Sequence, residues 1–203
     1  MLTPIGCQCG KVRGEVDLSR AYTRATCYCK DCQAFSRYLN RPDMVDRCGG
    51  TDIVPMSPAG VRITDGLEHV ICMSLSDKGR LRWHTACCQT PLGNTPRSAK
   101  IAYVGMIMTC FDAAPNMVEA ALGPRNRIVL NTASATCTVR STPLPFLLGG
   151  LSILRHIVVA RFDGPQPSPF FDAKGPVRKP IVLTAAQREA LGANPSRPPH
   201  STS

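Results

Sequence analysis

Seven of the eleven cysteines fall in three tight clusters, and their spacing limits the possible folds more than any other feature. Cys7 and Cys9 form C-x-C. Cys27, Cys29 and Cys32 form C-x-C-x-x-C. Cys87 and Cys88 are adjacent, with His84 three residues upstream of Cys87. The remaining Cys48, Cys72, Cys110 and Cys137 stand alone and read as small apolar core residues. An odd count cannot be fully paired in a monomer. Residues 1–7 carry no basic stretch followed by an apolar one, so the expected compartment is the reducing cytoplasm. Clustered cysteines there are metal ligands or reactive groups sooner than bridges.

Zinc takes four soft or borderline ligands in a tetrahedron, and a C-x-C or C-x-x-C turn offers two sulfurs to one ion without closing a long loop. The Cys7/Cys9 turn and the His84/Cys87/Cys88 turn can close one site if their strands lie side by side. The long chain between them is no obstacle, because loop-closure entropy grows only logarithmically. Cys27, Cys29 and Cys32 supply three thiolates within six residues and no evident fourth ligand. Closed four-ligand sites are structural, whereas three ligands with an open position make a catalytic site. The pattern therefore suggests one closed and one open zinc site. The alternatives are a single site drawing on all the clusters, or a second closed site with a ligand from elsewhere.

The rest of the chain reads as a mainly-β protein with a few short helices. Residues 11–18 alternate, with Val12, Val16 and Leu18 on one face. Short strands are expected at 51–55, 61–63, 69–76 and 81–86, separated by Gly, Pro and Asp-Lys-Gly turns. A helix follows the second cluster, with Phe35 and Leu39 four apart. Residues 101–111 are apolar enough for a strand or a buried helix. Pro115–Leu122 has Pro in its first turn and Gly123 just beyond, the punctuation of a helix. Residues 127–131 read as a strand. Residues 144–154 are apolar but interrupted by Pro145 and Gly149-Gly150, and Arg155-His156 follows. That run is too short to span a bilayer, so a buried or surface-docked helix is expected and no membrane span. Thr184-Ala-Ala-Gln187 is a capping box for a last helix. The expected organisation is a zinc domain over 4–110, an extension over 111–192 packed on it, and a disordered tail over 193–203.

The net charge of +10 raises nucleic acid as a partner. The charge is spread evenly, however, with no dense basic run and few aromatics beside basic residues for stacking. Nucleic-acid binding is therefore not expected. No Gly-rich phosphate loop and no Ser/His/Asp pattern is present.

The C-x-C-G at 7–10, the C-x-C-x-x-C at 27–32 and the late aromatic-x-x-x-Cys turn followed by Thr90-Pro91 resemble the glutathione-dependent formaldehyde-activating enzyme family, which includes the centromere protein V-type proteins. The resemblance covers about residues 4–110. It implies an Mss4-like β fold with two zinc ions. It places Cys7, Cys9 and Cys87 on the structural zinc, and Cys27, Cys29 and Cys32 on the catalytic one. The family's late knuckle is Cys-x-x-Cys-Gly; here His84 stands at its first cysteine and Cys88 at its glycine. His84 is favoured as the fourth structural ligand, because adjacent cysteines strain a shared tetrahedron; Cys88 is the alternate. The implied activity is that of a carbon–sulfur lyase, S-(hydroxymethyl)glutathione synthase-like, acting on a glutathione or similar thiol adduct of formaldehyde or a small aldehyde. The alternative is a non-catalytic zinc-stabilised binding module. Lys11, Arg13, Arg24, Lys30 and Arg37 are the basic residues nearest the clusters in sequence that could meet an anionic thiol.

Overall fold

The structure is a computed structural model that describes residues 1–112, 115–162 and 167–193. The expected tail falls almost wholly outside the described residues. The fold is mainly β, as the spacing of turns and alternating runs predicts. The first strands are β1 (Leu2–Gly6), β2 (Arg13–Asp17), β3 (Ala25–Cys27), β4 (Thr51–Met56) and β5 (Val61–Asp65). The next are β6 (Val70–Ser74), β7 (Leu81–Thr85), β8 (Pro91–Thr95) and β9 (Val104–Ile107). The last are the two-residue strands β10 (Val129–Leu130), β11 (Phe171–Asp172), β12 (Gly175–Pro176) and β13 (Ile181–Val182). The helices are α1 (Lys30–Tyr38), α2 (Pro115–Leu122), α3 (Pro143–Phe162) and α4 (Ala185–Ala190).

Eight strands form one sheet in the order β10-β3-β4-β9-β8-β7-β6-β13. Its centre is antiparallel, with β6 to β9 joined as successive neighbours. The strands β1, β2 and β5 form a second, antiparallel sheet. The large sheet is covered on both faces, and alternation along its strands sorts the side chains. Val54, Trp83, Val104 and Met106 pack with Ile5 and Val16 of the small sheet and with Val12 just before β2. Ile53 and Ile107 point the other way, onto Ala34 and Phe35 of α1 and Leu39 at its C-terminal cap. Because both faces are buried, these strands read as nearly continuous apolar runs.

Residues beyond 111 supply both edges of the large sheet. At one edge β10 pairs parallel to β3, and at the other β13 pairs parallel to β6. Unpaired edge groups are thereby capped. Phe170, fully buried, packs 5.0 Å from Trp83. Among the four isolated cysteines, Cys72 and Cys110 are buried free thiols, and burial pushes both up to about 12. Cys48 and Cys137 instead form a disulfide, with Cα atoms 5.1 Å apart. The expectation of four unpaired thiols is corrected for those two. They are 89 residues apart in sequence, and folding alone brings them together.

The interrupted apolar run is one continuous helix, α3, of 20 residues. Pro145 does not break it because it lies in the first turn, where the N–H groups have no intrahelical partner anyway. The bond from Phe146 N to Thr142 O, 2.9 Å, already follows it. By length and composition α3 reaches what a membrane crossing requires, at mean hydropathy 1.6. The expectation of no membrane span rested on the shorter run 144–154, whereas the helix itself has 20 residues. The helix lies on the surface, with most of its side chains exposed. The capping box at Thr184 forms as predicted, with Gln187 returning to the Thr184 N–H at 2.9 Å.

Candidate metal centres

The first centre joins two turns. Cys7-Gln8-Cys9-Gly10 links β1 to β2, and Gly10 takes φ +75°, which glycine adopts without strain. The amide of Val12 donates to Cys7 Sγ at 3.2 Å. The second turn links β7 to β8. It is held by Gln89 N to Thr85 O, 3.0 Å, and by Thr90 N to Thr85 Oγ1, 3.1 Å. The Gln8 amide donates to Thr90 Oγ1 at 3.0 Å and fastens the two turns together.

Four sulfurs converge there: Cys7, Cys9, Cys87 and Cys88 lie within 4.8 Å of one another. Sulfurs placed about 2.3 Å from one tetrahedral ion would stand about 3.8 Å apart. The separations are 3.5 Å for Cys7–Cys9 and 3.8 Å for both Cys7–Cys87 and Cys87–Cys88. The donor set and its spacing fit a thiophilic metal. Cys88 also meets the Thr85 and Thr90 hydroxyls at 3.5 and 3.2 Å. Burial opposes its ionisation, but those hydroxyls and Cys9 hold it down at about 5.

His84 is not in this group. It sits on β7 beside Trp83, pointing to the opposite face of the sheet. Its ring meets Phe35 and Tyr38 edge-on at 5.9 and 6.0 Å. It is 1% exposed, and its Nδ1 has no hydrogen-bond partner among the described residues. Where the family register favours His84, the structure puts Cys88 with the other three sulfurs. Side chains of consecutive residues diverge in a strand, but Cys87 and Cys88 lie in a turn closed by Gln89 at φ +56°.

The second centre is Cys27, Cys29 and Cys32, whose sulfurs also lie within 4.8 Å of one another. Cys27 ends β3. Cys29 caps α1, accepting from the Cys32 amide at 3.4 Å, and Cys32 lies in the first turn of that helix. No further His, Cys or carboxylate joins them among the described residues. Three thiols this close cannot all ionise without a cation. Hydrogen bonds from Cys27 and Cys29, with burial opposing and Arg82 assisting, hold Cys32 well below the usual thiol range. The same contacts with Cys27 and Cys32, with burial, push Cys29 up.

The surroundings of this triad were not evident from the sequence. Arg82, buried on β7, lies 3.8 Å from Asp31 and donates to Asn94 Oδ1 at 3.2 Å. Its guanidinium stands 5.4 Å over the Phe35 ring. Tyr103 folds back over Gly105, whose missing side chain makes room for it. Burial raises the Tyr103 hydroxyl, Arg80 opposes this, and the nearby Cys27 and Cys32 add to the rise. Asn131 Nδ2 donates to Cys27 Sγ at 3.3 Å. Three of the basic residues near the clusters in sequence are engaged elsewhere. Arg24 clasps Asp52 at 3.1 and 2.6 Å, Arg13 bonds Gly10 O, and Arg37 bonds Leu191 O.

The profile of a family described as a family of unknown function, DUF6151, matches residues 1–179. No curated protein matches the chain. Among solved structures, the crystal structure of a Rhodobacter sphaeroides protein is similar at 16% identity, over 57% of this chain and 94% of that one, with a TM-score of 0.39.

Proposed function

The chain belongs to DUF6151, a family of unknown function, and from its own residues we propose a two-zinc enzyme that makes or breaks a carbon–sulfur bond in a thiol adduct of formaldehyde or a small aldehyde. One observation carries the reading. Three thiols converge without a fourth ligand among the described residues, beside a buried arginine and a half-buried tyrosine. The resemblance of the cysteine spacing to the glutathione-dependent formaldehyde-activating enzymes, with their Mss4-like fold, supports the choice of glutathione or a similar thiol. Cys7, Cys9, Cys87 and Cys88 would hold a closed structural zinc, and Cys27, Cys29 and Cys32 a zinc with one position open. A zinc held there would lower the pKa of a thiol that reached it, so that a thiolate would exist at neutral pH.

The chain's own groups serve the rest of the reaction. Addition of R–S⁻ to the aldehyde carbon forms the C–S bond, and the carbonyl oxygen takes a proton to give R–S–CH₂–OH; cleavage is the reverse. Tyr103 keeps its proton, so its hydroxyl can donate to the oxygen as negative charge gathers on it. Arg82 supplies a fixed positive charge next to Cys32, which favours an anionic reactant. Asn131 donates to the Cys27 sulfur and holds it in place.

The test is the exchange of formaldehyde with glutathione, followed by NMR with and without the zinc-loaded protein. Faster exchange supports the proposal, and an unchanged rate at stoichiometric protein rejects it. X-ray absorption counts the sulfurs. An average of four per zinc, rather than three and a half, would favour a non-catalytic zinc-stabilised binding module.

A further inference from the structure

Helix α3 is apolar nearly all round and turns its large side chains outward. It touches the protein through Gly149, which meets the Ile128 side chain, through Ser152 Oγ, which donates to Tyr22 O at 3.2 Å, and through the His156 ring, which stacks on Tyr22 at 4.7 Å, with Ile153 and Ile157 half-buried beside them. At 3.6 residues per turn, the opposite side presents Leu147, Leu148, Leu151, Leu154, Val158 and Phe162. These are exposed from 48% for Val158 to 85% for Phe162. A surface helix of a water-exposed protein shows the reverse arrangement. An apolar stripe about 30 Å long needs something apolar to cover it.

The charges around it identify the cover. From Ala120 to Phe162 the chain has five arginines and no acidic residue. Arg140, Arg155 and Arg161 are exposed before and along α3. Lys78 and Arg80 line a cavity with Ile153 and Ile157, and Lys100 lines another with Ala160 and Arg161. Among the described residues Asp172 is the one acidic side chain lining either cavity. An apolar helix face bordered by exposed cations matches the headgroup–acyl boundary of an anionic lipid surface.

We propose that α3 docks this protein on an anionic membrane surface, lying in the plane with its outward apolar face in the lipid and Arg155 and Arg161 at the headgroups. Crossing the bilayer would strip the Gly149, Ser152 and His156 contacts and bury Arg155 near mid-depth, where a charge is costly. Lying flat keeps those contacts and lets Arg155 reach the headgroups along its aliphatic stem. A second copy is a poorer cover, since two-fold pairing sets the same cationic border against itself.

The test floats full-length protein with vesicles of phosphatidylcholine plus phosphatidylserine, and with vesicles of phosphatidylcholine alone. The protein is expected to rise with the mixed vesicles and several-fold less with the neutral ones, and to be released by high salt as screening shortens. Leu151→Glu/Leu154→Glu/Val158→Glu should cut the floating fraction about tenfold, with metal content and circular dichroism unchanged. Arg155→Ser/Arg161→Ser, which leaves the apolar face intact, should lose the preference for phosphatidylserine. Three results overturn the proposal: wild-type protein that stays down with mixed vesicles; protein that resists alkaline carbonate extraction, which means a span; and a wild-type dimer that the triple-glutamate variant makes monomeric without any vesicle binding.

Discussion

Asn131 donates its side-chain amide to the sulfur of Cys27 at 3.3 Å, across 104 residues of chain. The contact is prepared by backbone. Leu130 pairs in parallel register with Cys27, and Asn131 turns out of the strand at φ +58°, a conformation asparagine tolerates better than most residues. The second half of the chain therefore reaches directly into the three-thiol centre.

Removing that donor should loosen the centre without unfolding it. Asn131→Leu is expected to weaken metal binding at Cys27/Cys29/Cys32 by about tenfold or more, the usual effect of losing a partner that orients a ligand. Titration against a chromophoric chelator would read this as one weakened site and one unchanged. Equal affinities in the variant and wild type would show that the contact carries nothing.

The two candidates for the fourth ligand of the closed centre separate by substitution. Cys88→Ser should lower bound zinc by one equivalent, because its sulfur stands with those of Cys7, Cys9 and Cys87. His84→Leu should keep both equivalents, because its ring packs between Phe35 and Tyr38. Metal analysis of the purified variants decides. Loss of zinc from the His84 variant alone would reverse the assignment.

His84 also has a pH signature. Burial pushes its imidazole down from 6.5 to about 4. An unfolded chain takes up the proton within that window and the folded one does not. The stability it contributes is therefore complete above the unfolded value and is lost as pH falls towards the folded one. NMR of the ring should show a neutral imidazole until the pH approaches about 4. Titration near 6.5 would mean that the side chain is not buried as described.

The Cys48–Cys137 bond closes a loop with a sequence separation of 89 residues. Loop closure of this order stabilises a fold by about 2–4 kcal/mol, chiefly by restricting the unfolded chain. Cys137→Ser should lower stability by about that much, measured by denaturant unfolding under non-reducing conditions, while both metal centres persist. Mass spectrometry of alkylated, unreduced protein should show those two thiols blocked from reaction.

What was legible in the sequence is what depends on neighbours in the chain. Cys7 and Cys9, and Cys27, Cys29 and Cys32, announce themselves because such spacings bring sulfurs together within one turn. The capping box at Thr184 and the punctuation of Pro115–Leu122 are local in the same way, and both helices form. Pro145 misled because its cost depends on position in a helix: interior prolines break it, first-turn prolines do not. Arg82, Tyr103 and Asn131 carry no pattern of their own, and their place beside the triad comes from strand register and the backbone space left by Gly105.

By itself, then, the sequence determined a mainly-β chain, two groups of clustered thiols and the local turns that shape them. Tertiary structure alone decided which cysteines join across the chain: Cys88 with Cys7, Cys9 and Cys87, and Cys48 with Cys137. It also decided which polar groups surround the three-thiol centre and which way α3 turns its apolar face. The physical reason is the range of the forces. Turn geometry and capping act over a few residues and can be read in order, whereas pairing, burial and charge act through space between segments that only the folded chain brings together.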